Sequence, residues 1–452
     1  MNNPFLENDF APVHDEWDVQ DLHVIGKIPE ALNGVYMRNG PNPYFPPMTY
    51  TYPIDGDGMI HAVYLKDGKA GYRNRFVKTE ELLQEQKAGR ALYGGVKEPY
   101  FFDPDQPGKK TLAMKNGAYI HIIRHAGRYL ALGESNPSYE MTAELETLSK
   151  WSPLPNATPL AVSPHSRLDP RTGDRWFINY DVMPPFLSVY CVDAKGEITH
   201  SINIDKNYCT MFHDFVLTEN YVIFFDCPAV IDIKALEDGG TLFSWQPELG
   251  THIGVMPKKG GQVQWIKTES FFVYHFANAY EANGEIIVDY IRYAEFSLDA
   301  KKVIPANLCR TKIQLADGVA THIALDDRDV EFPRIREELD SFKHQFIYTP
   351  TLTPTAKNPL SFNAIVKYDV DAAKSSLHDF GANVEIDEAV FVPAETGIGE
   401  DDGYLILFAY NNQVKQSELM ILDAKNIDAE PVARIQIPRR VPHGLHGSWM
   451  SD

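Results

Sequence analysis

The chain has 452 residues, 44% hydrophobic and 12% aromatic, so it can bury a sizeable core, and no stretch reads as low-complexity or disordered. A formal charge of −20, with no Lys/Arg stripe among the aromatics, argues against a phosphate backbone, and no nucleic-acid partner is expected. No apolar run is long enough to span a bilayer, and Met1-Asn-Asn-Pro-Phe-Leu-Glu lacks the basic and apolar regions of a signal peptide, so the expected location is the cytoplasm.

From Asn33 to about Gln436, short β-branched and aromatic runs alternate with Gly, Asp, Asn and Pro, an all-β pattern. Residues 1–26 read as an N-terminal arm. One helix is predicted, over 79–89, with Thr79 as its cap and Leu82 and Leu83 on the apolar side. Hairpins are predicted from 119–125 with 128–133, 175–180 with 187–192, 213–217 with 221–225, 272–280 with 285–290, and 404–410 with 418–423. Two loop-rich stretches, 103–108 and 349–359, read as excursions rather than boundaries. So many hairpins without a linker fit a single propeller domain over 1–452 better than a sandwich, because radial repetition hides sheet edges. No WD or kelch signature and no fixed period accompany them.

Cys191, Cys209, Cys227 and Cys309 form no CxxC pair and suit a reducing compartment, so a metal here must rely on other ligands. Fifteen histidines and a surplus of carboxylates remain. His165, His213 and His275 begin or sit within strand-like runs, each near apolar residues. His446 lies in the last stretch, Pro438-Arg-Arg-Val-Pro-His-Gly-Leu-His-Gly-Ser-Trp449, between Leu445 and Gly447, where a small neighbour admits close backbone approach. Taken singly, a satisfied core histidine is the commoner outcome for His165, His213 and His275, and His446 reads equally as part of a plain tail. His443 reads as a turn residue. Asp55-Gly-Asp-Gly58 lacks both the P-loop lysine and calcium-loop spacing, so it reads as a tight turn, with His61 structural. Asp214 is weighed as a base beside His213 against a strand-end carboxylate.

Six boxes along the chain are more specific: Asn33-Gly-Val-Tyr-Met-Arg-Asn-Gly-Pro-Asn-Pro43, Asp55-Gly-Asp-Gly-Met-Ile-His61, Met211-Phe-His-Asp-Phe215, Glu331-Phe-Pro-Arg334, Glu388-Ala-Val-Phe-Val-Pro393 and Leu445-His-Gly447. In this order they resemble the carotenoid cleavage oxygenase family. The resemblance implies a seven-bladed β-propeller, with loop and helix excursions forming a cap over an axial metal site. It implies one Fe(2+) per chain held by His165, His213, His275 and His446, the catalytic set, with Glu134, Glu331 and Glu388 behind them. Such carboxylates would accept the far ring N–H and fix each tautomer. Ile120 falls where some relatives place a threonine near the oxygen site.

The activity implied is oxygenolytic cleavage of one conjugated C=C bond of a carotenoid or apocarotenoid, with O2 as co-substrate and two carbonyl products. Stilbene-cleaving members carry a Tyr and a Lys that grip a phenol; the matching positions here are the substrate-tunnel candidates Val96 and Gly133. Alternatives are a stilbene or phenylpropanoid cleaver, a non-oxygenolytic polyene isomerase or binding propeller, and a metal-free interaction propeller. An apolar polyene substrate implies peripheral contact with membrane through an exposed apolar patch, for which Tyr100-Phe101-Phe102 and the 229–243 region with Val230, Ile231 and Leu242 are candidates. No protein partner is implied.

Overall fold

In the computed structural model the described residues are 3–153, 159–299 and 302–452, so the first two residues of the expected arm lie outside them. The chain forms two compact units, Met1–Pro164 with Ile406–Ile421 and Pro431–Asp452, and His165–Leu405 with Leu422–Glu430. Both are built mainly of antiparallel sheets whose strands follow one another through short turns, the meander from which propeller blades are made.

In the first unit, a five-stranded sheet runs in the order Asp18–Val19, Lys69–Phe76, Met59–Lys66, Gly34–Arg38 and Gly447–Ser451. Gly34–Arg38 is buried at every position, so it needs a partner on each side. One is Met59–Lys66, and the other is the chain's last strand, with Arg38 opposite Gly447 and Gly34 opposite Ser451. The Asp67-Gly68 turn that closes this sheet's hairpin has positive φ at both residues (50° and 73°), matching the right-handed strand twist. A second sheet joins His121–His125, Arg128–Leu132, Tyr139–Met141 and Thr147–Lys150, and its first turn, Ala126-Gly127, has the same conformation. Val35, Met37, Ile60 and Ala62 of the first sheet pack with Ile122 and Ala131 of the second. The expected arm is tied into sheets: Asp18–Val19 pairs with Lys69–Phe76, and Val24–Gly26 with Ala433–Ile437.

The second unit contains three four-stranded meanders. They are Ser166–Leu168 to Ile198–Ile204, Val216–Leu217 to Gln264–Thr268, and Phe276–Ala282 to Val319–Ala324; a three-stranded one runs from Phe346–Thr351 to Lys374–Asp379. Each of the five predicted hairpins is present, with Arg175–Tyr180 and Leu187–Val192 at the predicted bounds. Two starts move. His213 lies three residues before its strand, and Phe272 only bridges Tyr293 ahead of Phe276–Ala282.

The helix Glu80–Ala88 has the predicted cap, the Thr79 side chain accepting the Leu82 N–H, and ends at Gly89 in the left-handed region. Leu82 is buried but Leu83 is 49% exposed, because adjacent helical residues point about 100° apart and only one can face the core. A second helix, Ile233–Glu237, was not foreseen. It is held by an Asp232 cap, and five residues are too few to show a helical period in sequence. The predicted loop 349–359 begins inside a strand, Phe346–Thr351, where a Pro350 in a buried run disguised it. Val230, Ile231 and Leu242, offered as surface, are buried on a small sheet, Cys209–Thr210, Ala229–Ile231 and Phe243–Trp245. Tyr100–Phe102 is half-buried and pairs with Lys110–Leu112.

Candidate metal centre

Four strands carry the centre, and in each the histidine precedes the strand start. His165 abuts Ser166–Leu168, His275 abuts Phe276–Ala282 and His446 abuts Gly447–Ser451, while His213 lies three residues before Val216–Leu217. At these positions the backbone is anchored by the ladder while the imidazole projects beyond it. All four are buried, and their ligand atoms lie within 4.8 Å of one another. His165 Nε2 and His213 Nε2 are 3.1 Å apart, and the His275 ring lies 4.9 Å from that of His165 and 5.1 Å from that of His213, centroid to centroid.

The donor set fits a first-row divalent ion. Neighbouring ligands around one ion with metal–nitrogen bonds of roughly 2.1 Å sit about 3 Å apart, which is the His165–His213 separation. Imidazole nitrogen suits iron, zinc, copper or nickel rather than magnesium or calcium. His275 is prepared for the role: its Nδ1 lies 2.5 Å from Glu331 Oε2, so the carboxylate holds the proton at Nδ1 and leaves Nε2 as the lone-pair donor. Glu331 is buried and fixed in turn, accepting from Tyr293 Oη at 2.8 Å and from the Phe332 N–H. Burial, and then the Glu331 charge, hold the Tyr293 phenol well above its usual pKa, so that hydroxyl stays a donor.

His446 is held through its backbone. Its N–H donates to Ile120 O at 3.1 Å and its carbonyl accepts the Asn39 N–H at 3.1 Å, while Asn39 Nδ2 donates to the carbonyls of Ala118 and His121. Ile120, the residue expected beside the oxygen site, is thus buried next to His446 in the hydrogen-bond pattern. Gly447 is required, but for a ring rather than a backbone: a Cβ there would stand 2.7 Å from Tyr36 Oη. His443 is no turn residue. It is buried beside Phe10 and Tyr52, 3.9 Å from Asp9, and burial pushes its pKa down to about 4.

Glu388 is buried and ion-paired with Arg334, Oε1 to Nε at 3.0 Å. The box Glu331-Phe-Pro-Arg334 therefore supplies both the carboxylate behind His275 and the cation on Glu388, a role for Arg334 that sequence reasoning missed. Glu134 is half-buried just past Arg128–Leu132, and its carbonyl accepts Asn136 Nδ2. Asp214 does not serve His213 as a base; it is ion-paired with Arg167 at 2.5 Å. Asp55-Gly-Asp-Gly58 is a turn: Asp55 accepts the N–H groups of Val96 and Thr51, both at 2.7 Å, and His61 Nδ1 contacts Tyr72 Oη at 2.7 Å. Val96 is buried, and a Cβ at Gly133 would meet the Ala118 backbone at 3.3 Å. The four cysteines are free and buried.

Fold and site together define an all-β protein of propeller type with a buried cluster of four histidines that could hold a metal ion. A model of the family described as "RPE65: Retinal pigment epithelial membrane protein" matches residues 10–451, and the chain belongs to this family, that of the carotenoid cleavage oxygenases. It is 33% identical to carotenoid 9,10(9',10')-cleavage dioxygenase of Crocus sativus, over 99% of this chain and 89% of the relative. It is 31% identical to isoeugenol monooxygenase of Pseudomonas nitroreducens, over 99% and 98%. Among solved structures, lignostilbene dioxygenase of Pseudomonas brassicacearum superposes with a TM-score of 0.91 at 28% identity, covering 100% of this chain and 99% of that one. Cobalt-substituted Synechocystis ACO, an apocarotenoid oxygenase, superposes at 0.88 and 28%, covering 98% and 97%.

Proposed function

We propose that the protein is a non-haem iron(II) dioxygenase that cleaves one conjugated C=C bond of a carotenoid or apocarotenoid with O2 to give two carbonyl products. The observation that carries this is the cluster of four buried imidazoles with no carboxylate in the set. His165, His213, His275 and His446 would hold one Fe(2+), and Glu331, Glu388 and Glu134 would stand behind them. Bound there, ferrous iron supplies the one-electron chemistry that lets O2 react with an alkene. The chain's own part is positional: Glu331 keeps the His275 proton on Nδ1, and buried Ile120 offers no group to hydrate the oxygen site. One oxygen atom enters each carbonyl and the alkene supplies the electrons, so no redox partner is needed.

Val96 and Gly133 favour an apolar polyene, because neither offers a side-chain donor or acceptor to a phenol. A second reading, a stilbene or phenylpropanoid cleaver, is favoured by the 0.91 superposition on lignostilbene dioxygenase. Aerobic incubation of the iron-loaded protein with carotenoids, apocarotenoids, stilbenes and isoeugenol, with mass identification of labelled carbonyls from 18O2, decides between them. Polyene products support the first reading and aryl aldehydes alone the second, while an isomerised polyene without label overturns both.

A single seven-bladed domain over 1–452 belongs to the same proposal. It is supported by eight sheets of three to six strands among the described residues, the small one at Cys209–Thr210 included, and by one family model spanning 10–451. Cytoplasmic location with peripheral membrane contact is likewise proposed. No helix among the described residues is long and apolar enough to cross a membrane. Contact through apolar side chains such as Leu112 and Met114, both exposed, should resist salt, and loss of vesicle co-sedimentation on adding salt would refute it.

A further inference from the structure

Three of the four histidines share one buried ion pair. Arg167 follows His165 by two residues, Asp214 follows His213 directly, and Phe276 follows His275 directly. Arg167 Nη2 donates to Asp214 Oδ2 at 2.5 Å and to the Phe276 carbonyl at 3.0 Å, while its Nε donates to the Phe215 carbonyl at 2.7 Å. Asp214 accepts the Phe276 N–H at 2.9 Å on Oδ2 and the Phe215 N–H at 2.7 Å on Oδ1. The Asp214 side chain is 1% exposed and that of Arg167 14%.

We infer that Arg167 and Asp214 are positioning residues that set the three imidazoles in register for the metal, an inference that rests on the metal-centre reading above. The three histidines lie on successive sheets, joined by ladders only within each sheet, so the separation between their strand starts needs a link of its own. The guanidinium and carboxylate supply it: five hydrogen bonds, three donated by Arg167 and two accepted by Asp214, link an arginine two residues after His165 with Asp214 and Phe215, which follow His213, and with Phe276, which follows His275. Both polar backbone groups of Phe276, its N–H and its C=O, are taken by the same pair, which holds the peptide on each side of Phe276, the first of them the one that joins it to His275. A lysine at 167 keeps the charge but cannot address Asp214, Phe215 and Phe276 in one plane.

The test uses the full chain stripped of metal and titrated with Co(II), read by the cobalt absorption bands and by chelator competition. Arg167→Lys and Asp214→Asn are compared with Arg310→Lys, which weakens another ion pair, Arg310–Asp289, between the strands Ala306–Gln314 and Glu285–Tyr293 of the sheet that His275 precedes. The expected result is Co(II) affinity about tenfold or more below the parent in the first two, with shifted bands, while Arg310→Lys lowers Tm but binds Co(II) like the parent. If the pair serves folding alone, Arg167→Lys and Asp214→Asn either both fail to fold or both fold and bind Co(II) with parental affinity and spectrum; each result overturns the inference. Failure of the parent itself to bind Co(II) in a manner abolished by His165→Ala would instead overturn the metal-centre reading.

Discussion

Glu331→Gln isolates the electrostatic share of the histidine support. The change keeps shape and leaves one carbonyl oxygen to accept from His275 Nδ1 and the Phe332 N–H, while the new NH2 faces Tyr293 Oη, which can accept as well as donate. What is lost is the negative charge. A hydrogen bond to a charged group contributes about 1.5–3 kcal/mol and a neutral one about 0.5–1.5, so between midpoints the contact to His275 weakens by about 1.2 kcal/mol. That contact matters most with metal bound, when the imidazole N–H is most acidic, so the loss appears as roughly tenfold weaker metal binding. The assay is Co(II) or Fe(II) titration against a competing chelator, with Tm of the metal-free protein as a control for folding. A variant that folds and binds metal within about twofold of the parent would refute the idea that the carboxylate tunes His275.

Four further outcomes are expected. His446→Ala loses both bound metal and activity; full activity, or activity with zinc alone, in metal analysis of the variant and parent would count against the four-histidine centre. Glu388→Gln, whose carboxylate is paired with Arg334, keeps the fold but lowers metal affinity or turnover by roughly 10–100-fold in the same titration. His443 is neutral when folded, with a pKa near 4 against about 6.5 unfolded, so the unfolded chain binds the extra proton and stability falls as pH drops from about 6.5 to 4. Relative to pH 8 the loss at pH 5 is about 2 kcal/mol, and urea unfolding of His443→Gln should lack that part of the slope. A phenol buried without a partner costs about 1–3 kcal/mol, so kcat/KM for at least one apocarotenoid should exceed that for a 4-hydroxystilbene by about tenfold; the reverse order would promote the aryl-alkene reading.

Local chemistry was legible in the letters. Alternation and turn residues located the hairpins because a strand's period and its turn's φ signs are properties of a few neighbouring residues, as at Ala126-Gly127. Local signals were silent where burial by distant chain decided the outcome, as for Pro350 inside a strand, for Leu83 turned outward, and for Val230, Ile231 and Leu242 turned inward. Spacing along the chain could not bring His165, His213, His275 and His446 together; resemblance suggested it, and the fold carries it by setting each before a strand. What only tertiary structure decided is the support around them: Glu331 on His275, Arg334 on Glu388, and Arg167 with Asp214 across the starts of three sheets. These are contacts between residues 47 to 109 positions apart, formed by charged groups that read as surface until burial makes pairing obligatory.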